Sequence, residues 1–219
     1  MELSAAKMHF ETSLLMGVDY LPVAEHLECK QADDACEQLE KLSIAHDETC
    51  PHCTQATGYT QAVFGTGNPK ARLMFIGEAP GAEEDRQGIP FVGDAGKKLD
   101  EIITAMGLAR EDVYIANVLK SRPPNNRTPS PQEVALCGPF LLLQIEIIKP
   151  QVIVVLGSPA AKYLLETTTG ITKLRGNWYQ FSGIPVMPTF HPAYLLRNYT
   201  KEIRGFVWSD MQQVMTKLT

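Results

Sequence analysis

The sequence predicts a doubly wound α/β fold, with a mainly parallel central sheet, helices on both faces and an N-terminal helical appendage. Three observations predict it. Four compact apolar runs, at 72–76, 113–117, 152–156 and 186–190, are short, mostly β-branched or aromatic, and followed by turn residues, so they read as buried strands. Helical stretches at 96–106, 132–148 and 160–167 lie between them. Strand alternating with helix implies parallel pairing, with both faces of the sheet covered.

Residues 1–49 form the first element, an acidic helical extension, and residues 50–219 form the main domain. Between Val23 and Ala45 the apolar positions Leu27, Leu39 and Leu42 stand among many charges. Cys29 and Cys36 are seven apart, so they share one helix face, and both are expected to be small buried residues. In the main domain, Ser130-Pro131-Gln132-Glu133 has the form of a capped helix start with proline at the first helical position. Pro139 then falls inside that helix, where a kink or a late start is expected. Neither an internal repeat nor a low-complexity tract is evident.

The chain has 219 residues, a length that suits one domain with a short appendage. Its charged and apolar fractions argue against global disorder. The longest apolar runs, near Phe140–Leu143 and Val152–Leu156, fall short of the roughly 18 residues that span a bilayer. The first residues lack a basic segment followed by an apolar stretch, so cytoplasmic or nucleoid residence is expected, without a membrane partner. Five cysteines are an odd number for a disulfide framework, and a reducing compartment fits them better. Cys50-Pro-His-Cys53 is spaced for a metal or for redox chemistry.

The formal net charge of −5 hides an asymmetry. Residues 1–60 hold three basic and eleven acidic side chains, whereas from Asn117 onward there are eleven basic and five acidic. The C-terminal part could therefore supply a positive face for a polyanion, although scattered solvated charge would give the same count.

Ligands of such sheets bind beyond the C-terminal strand ends, and the unusual residues fall there. Gly77-Glu-Ala-Pro-Gly81 is a tight turn through which backbone can approach a ligand. It is neither GxGxxG nor a P-loop, so nucleotide hydrolysis loses ground. Glu78 and Glu84 could orient or activate a water, whereas Glu83 and Asp85 suit a helix N-terminus. Phe91, in Pro90-Phe-Val-Gly93, is either a platform for a base or a core plug. Asn117 ends an apolar strand, where an amide is costly unless paired, and its donor and acceptor match a pyrimidine edge. His191 opens His191-Pro-Ala-Tyr-Leu-Leu-Arg197, a rigid loop tipped with apolar bulk and a cation. Such a loop could wedge into a duplex while the histidine steadies a developing anion.

These motifs, with Asn117-Val-Leu-Lys120 and Arg122-Pro-Pro-Asn-Asn-Arg127, resemble the family-4 uracil-DNA glycosylases, the iron–sulfur members of their superfamily. The resemblance runs from about Cys50 to Asp210, in family order. It implies uracil-containing DNA as partner, excision of the base to leave an abasic site, and a monomer. Glu78 and Glu84 match the acids of the first motif, and Gly77 its turn. Ala79 stands where sister families carry a water-activating aspartate that family 4 lacks. Phe91 matches the ring stacked on uracil, Asn117 the amide reading its edge, and His191 the histidine near O2. Leu195, Leu196 and Arg197 match the loop that enters the duplex, and Lys120, Arg122, Asn126 and Arg127 are the matching DNA-binding candidates.

The resemblance also implies a structural [4Fe–4S] cluster on four cysteines. Cys50, Cys53 and Cys137 match three of them, and Ser121 occupies the fourth position. The fourth ligand is then Ser121 oxygen, or Cys29, Cys36 or His52; alternatively the cluster is altered or absent, with zinc as the other ion that accepts Cys and His. Rival readings are a glycosylase for another deaminated base, a catalytically weak DNA-binding module with a scaffold cluster, and an electron-transfer protein. The DNA-crosslinking relatives carry a histidine in the arginine-rich loop, which 120–127 lacks. The acidic extension leaves room for a protein partner.

Overall fold

The structure, a computed structural model, describes residues 34–219. Six strands form one sheet in the order β1-β3-β2-β4-β6-β5. They are β1 (Thr66–Gly67), β2 (Leu73–Gly77), β3 (Tyr114–Asn117), β4 (Val152–Leu156), β5 (Tyr179–Phe181) and β6 (Ile184–Thr189). The four middle strands are parallel, and β1 and β5 close the two edges antiparallel. All four predicted strands are present within a residue or two of their expected positions. The short edge strands were not expected, because two or three residues carry no periodicity.

Alternation along each buried strand divides the core into two layers. Met74, Ile76, Ile153 and Val155 face one layer, covered by α1 (Asp34–Thr49), α4 (Pro131–Ile148) and α5 (Ser158–Leu164). Leu73, Phe75, Val152 and Val154 face the other, covered by α3 (Asp94–Ala105) and α8 (Lys201–Leu218). A strand buried on both faces needs apolar residues at every position, which explains the continuous apolar runs.

Helix α4 is long and apolar enough to cross a membrane by length and composition alone. Here Phe140, Leu141, Gln144 and Ile145 are buried inside the domain, so it is a core helix. Its start is the expected capping box: Ser130 Oγ accepts from Glu133 N–H, and Glu133 accepts from Ser130 N–H. The helix continues through Pro139 rather than starting after it.

The boundary expected between residues 49 and 50 is corrected. Helix α1 lies against α4 with Leu39 and His46 buried, and Cys50 N–H donates to His46 O at 2.9 Å. Residues 34–49 are thus continuous with the main domain. Cys36 is exposed on this helix, contrary to expectation, while Cys29 lies outside the described residues.

The register aligns the strand ends that matter. Gly77 pairs with Asn117 across β2 and β3, and Leu156 with Thr189 across β4 and β6. From β2 the chain winds first to β3 on one side and then to β4 on the other. The crevice at that reversal is where an open α/β sheet takes its ligand.

Candidate active site and metal centre

A cleft of about 560 Å³ opens at this reversal. Its lining includes Glu78, Ala79, Phe91, Asn117, Asn126, Arg127, His191 and Arg197, contributed by all four predicted loops. The loops converge because parallel strands in register end at one edge.

Asn117 is buried, and its Oδ1 is the one buried side-chain polar atom without a hydrogen-bond partner among the described residues. A buried acceptor left unpaired costs about 1–3 kcal/mol, so this one awaits a donor. The Phe91 ring lies beside it. A Cβ on Gly77 would fall within 2.5 Å of Phe91 Cζ and closer still to Asn117 Oδ1. Only glycine therefore lets the amide and the ring approach the turn together. Phe91 holds a left-handed backbone, with φ 53°, a strained state for an aromatic residue.

The His191 ring lies 5.5 Å from Phe91 between centroids. His191 caps α7 (Pro192–Arg197), and its Nδ1 accepts from Ala193 N–H at 3.1 Å. That bond leaves Nε2 to carry the proton. Burial, aided by the charge of Arg197, pushes the imidazole down to about 4 against an opposing pull from Glu84. His191 is thus a neutral donor at ordinary pH.

Glu78 and Glu84 take different roles. The Glu78 carboxylate lines the cleft, forms no side-chain hydrogen bond among the described residues, and is raised above its ordinary value by burial. Glu84 is committed: its oxygens accept from Gly81 N–H at 3.1 Å and from Val92 and Gly93 N–H at 2.9 Å each. Through these bonds Glu84 braces the 77–81 turn against the loop that presents Phe91. It caps α2 (Ala82–Gln87) in doing so. Asp85 is also structural, accepting from Thr60 N–H at 2.6 Å and from Gln61 N–H at 3.3 Å.

Two DNA-binding candidates lie elsewhere than expected. Lys120 is 0% exposed, and its ammonium donates to Asn117 O at 2.8 Å and to Gln144 Oε1. It is unable to reach a phosphate from there. Burial lowers it to about 8, against the pull of nearby cysteines. Leu195 is buried with Val207 and Met211, whereas Leu196 is 43% exposed. Consecutive residues on a helix point about 100° apart, so only one of this pair can project. Arg197 and Asn126 line the cleft, Arg122 bonds Asn126 Oδ1 at 2.7 Å, and Arg127 pairs with Glu133 through both guanidinium ends at 2.7 Å.

Outside the cleft lining, Cys50, Cys53 and Cys137 converge, all buried, with a fourth residue that sequence reasoning missed. The ligand atoms of His46, Cys50, Cys53 and Cys137 lie within 4.8 Å of one another. The signal for it is local: His46 stands four residues before Cys50, one helical turn, although it falls within the residues expected to form the extension. Ser121 is at the margin, with Oγ 3.4 Å from Cys53 Sγ and 3.1 Å from His52 Nε2. Backbone N–H groups donate to two of the sulfurs, Cys53 to Cys50 Sγ at 3.5 Å and Lys120 to Cys137 Sγ at 3.2 Å. Three thiols, an imidazole and N–H···S support make a donor set that fits iron–sulfur binding, and zinc uses the same atoms.

A parallel-sheet cleft that sets an aromatic ring beside an amide oxygen without a partner and a neutral histidine has the shape and polarity to take a planar heterocycle. Comparison with known proteins gives that class a family. The profile of the Uracil DNA glycosylase superfamily matches residues 64–212. The type-4 uracil-DNA glycosylase of Thermotoga maritima is 49% identical over 179 residues, covering 81% of this chain and 93% of its own. That of Archaeoglobus fulgidus is 45% identical, covering 76% and 86% respectively. A type-5 uracil-DNA glycosylase of Pyrobaculum aerophilum is 33% identical, covering 60% and 66%. The chain belongs to the uracil-DNA glycosylase superfamily, in its type-4 group.

Proposed function

We propose that the chain hydrolyses the N-glycosidic bond of uracil in single- or double-stranded DNA, leaving an abasic site for repair. The carrying observation is Asn117 Oδ1, a buried acceptor without a donor, set beside an aromatic ring. Uracil offers a donor at N3. Cytosine offers a lone pair there and would face acceptor with acceptor. A site built to bond such a group rejects its mismatch by up to about 10⁴–10⁵-fold.

The residues then divide the work. The nucleotide leaves the stack at a cost of a few kcal/mol, with Leu196 and Arg197 filling the gap. Phe91 and the Gly77–Gly81 turn, with Ala79, hold the base. The C1′–N1 bond breaks heterolytically, and its electron pair stays on uracil, where charge spreads to O2. His191 donates its Nε2 proton in a hydrogen bond to that oxygen without having to lose a charge first. Glu78 holds the water whose oxygen bonds C1′, and the water's proton passes to solvent. The absence of a carboxylate at Ala79 leaves leaving-group stabilisation as the larger contribution. Arg122, Asn126, Arg127 and Arg197 face the backbone of the DNA. One chain supplies every group named, which favours a monomer.

The cysteine centre is read as a [4Fe–4S] cluster with a structural part. The type-4 relatives and the three matching cysteines support this. Bound there, it would tie segment 46–53 to α4.

The test is alkaline strand cleavage after incubating the chain with an end-labelled oligonucleotide bearing one deoxyuridine. A single break at that position, absent from a thymidine control, is expected. Asn117→Ala should slow it about 10³-fold, below the roughly 10⁴–10⁵-fold ceiling for a site built around such a hydrogen bond. Binding without a break would overturn the assignment, and an unchanged rate in the variant would overturn the part given to Asn117.

A further inference from the structure

We infer that His46 Nε2 is the fourth protein ligand of the cysteine centre, replacing the thiolate absent at Ser121, so that the chain holds its metal through three cysteines and one histidine. This rests on the reading that the centre is loaded with metal, but it makes a separate claim about which side chain completes the set.

Four observations converge on His46. Its side chain is 0% exposed, so its nitrogens have only the protein interior to bond. Nδ1 is 2.8 Å from Asp47 Oδ1, which can only accept, so a ring proton sits on Nδ1 and Nε2 is the nitrogen turned to the sulfurs. Metal-binding histidines are held this way, with the second nitrogen donating to a carboxylate. Nε2 then points at the thiols, 3.9 Å from Cys137 Sγ, while Cys53 Sγ lies 3.7 Å from the same sulfur. Finally, the ring is fixed on its flanks, edge-on to Phe140 at 4.8 Å between centroids and tilted to Phe64 at 5.9 Å.

Among the described residues the other candidates are less well placed, and Cys29 lies outside them. Ser121 Oγ is shared between His52 and Cys53, and an alcohol must lose a proton of high pKa before it binds a cation well. His52 Nε2 faces that hydroxyl rather than the sulfurs. Cys36 is exposed on the same helix and absent from the group. A neutral imidazole in place of a thiolate removes one negative charge, and histidine for cysteine raises the potential of an iron–sulfur centre.

The experiment uses the full chain, purified without oxygen, as wild type and as His46→Ala, His46→Cys, His52→Ala and Ser121→Ala. Iron, sulfide and zinc are counted, and pulsed electron paramagnetic resonance or X-ray absorption reports a histidine nitrogen on the metal. The wild type should show that nitrogen. His46→Ala should lose at least ten-fold in metal retention, and His46→Cys should keep the metal while losing the nitrogen signal. The other two variants should keep both. Should Ser121→Ala or His52→Ala lose the metal while His46→Ala retains it, the assignment to His46 is overturned and the cluster reading survives. Zinc without sulfide overturns the cluster reading alone, and the same variants then decide the ligand. A wild type free of metal overturns both.

Discussion

Replacing Glu84 by alanine separates a brace from a base. The carboxylate accepts three backbone N–H bonds, from Gly81, Val92 and Gly93. A hydrogen bond to a charged acceptor contributes about 1.5–3 kcal/mol, less where water replaces it, so three part-exposed ones together are worth about 3 kcal/mol. In a chain of this size that corresponds to a fall in Tm of roughly 6–12 °C. The loop that holds Phe91 at positive φ also loses its anchor, so the stacking ring is no longer fixed over Gly77. Excision should drop about 10²-fold, expressed mainly as weaker binding of uracil-containing substrate. The assay is single-turnover excision against enzyme concentration, run beside thermal unfolding. A Glu84→Gln variant should recover part of both quantities, since one oxygen still accepts. The reasoning fails if Glu84→Gln abolishes the chemical step while Tm and substrate binding stay at wild-type values, the behaviour of a water-activating base.

Four further outcomes follow from the geometry. His191, held neutral down to about pH 4, should give an excision rate flat between pH 6 and 8, and a break near 6.5 that vanishes in His191→Gln would refute its part as a neutral donor. Because its folded value lies below the unfolded 6.5, this group's stabilisation is complete above pH 6.5 and lost as pH falls from there toward 4, measurable as a declining Tm that His191→Gln flattens. Arg197→Ala should reduce the salt dependence of DNA binding by about one phosphate contact, whereas Lys120→Met should leave that slope unchanged and lower Tm instead; equal slopes in the two variants would return Lys120 to the DNA. Leu196→Ala should slow excision from duplex several-fold more than from single strands, while Leu195→Ala should cost about 2–5 kcal/mol of stability, read from denaturant unfolding.

The sequence exposed what periodicity and turn chemistry encode. The four central strands, the capped start at Ser130 and the convergence of Glu78, Phe91, Asn117 and His191 at one sheet edge were all legible. Tertiary surroundings were not. Glu84 reads like Glu78 until the N–H groups around it are located. Lysine is rarely interior, so nothing local places Lys120 under the sheet edge. Leu195 and Leu196 are chemically identical, and only the phase of the helix begun at Pro192 turns one inward. His46 stands one helical turn before Cys50, but the acidic composition of residues 1–49 suggests an independent element, and nothing in the sequence alone links the two.

The position of Lys120 has a consequence for the charge of the interior. It is the only Lys or Arg fully buried among the described residues, and its backbone N–H reaches Cys137 Sγ while its ammonium holds the carbonyl of Asn117. Three thiolates would leave one negative charge around a 2+ centre if one were bound there, as a single ion or as a [4Fe–4S] unit. The Lys120 ammonium would then bring the region to neutrality, a setting in which a buried cation is tolerated. One residue thus touches both places: the Lys120 backbone N–H supports a sulfur of the cysteine group, and its ammonium holds the carbonyl of Asn117 at the strand end that lines the cleft.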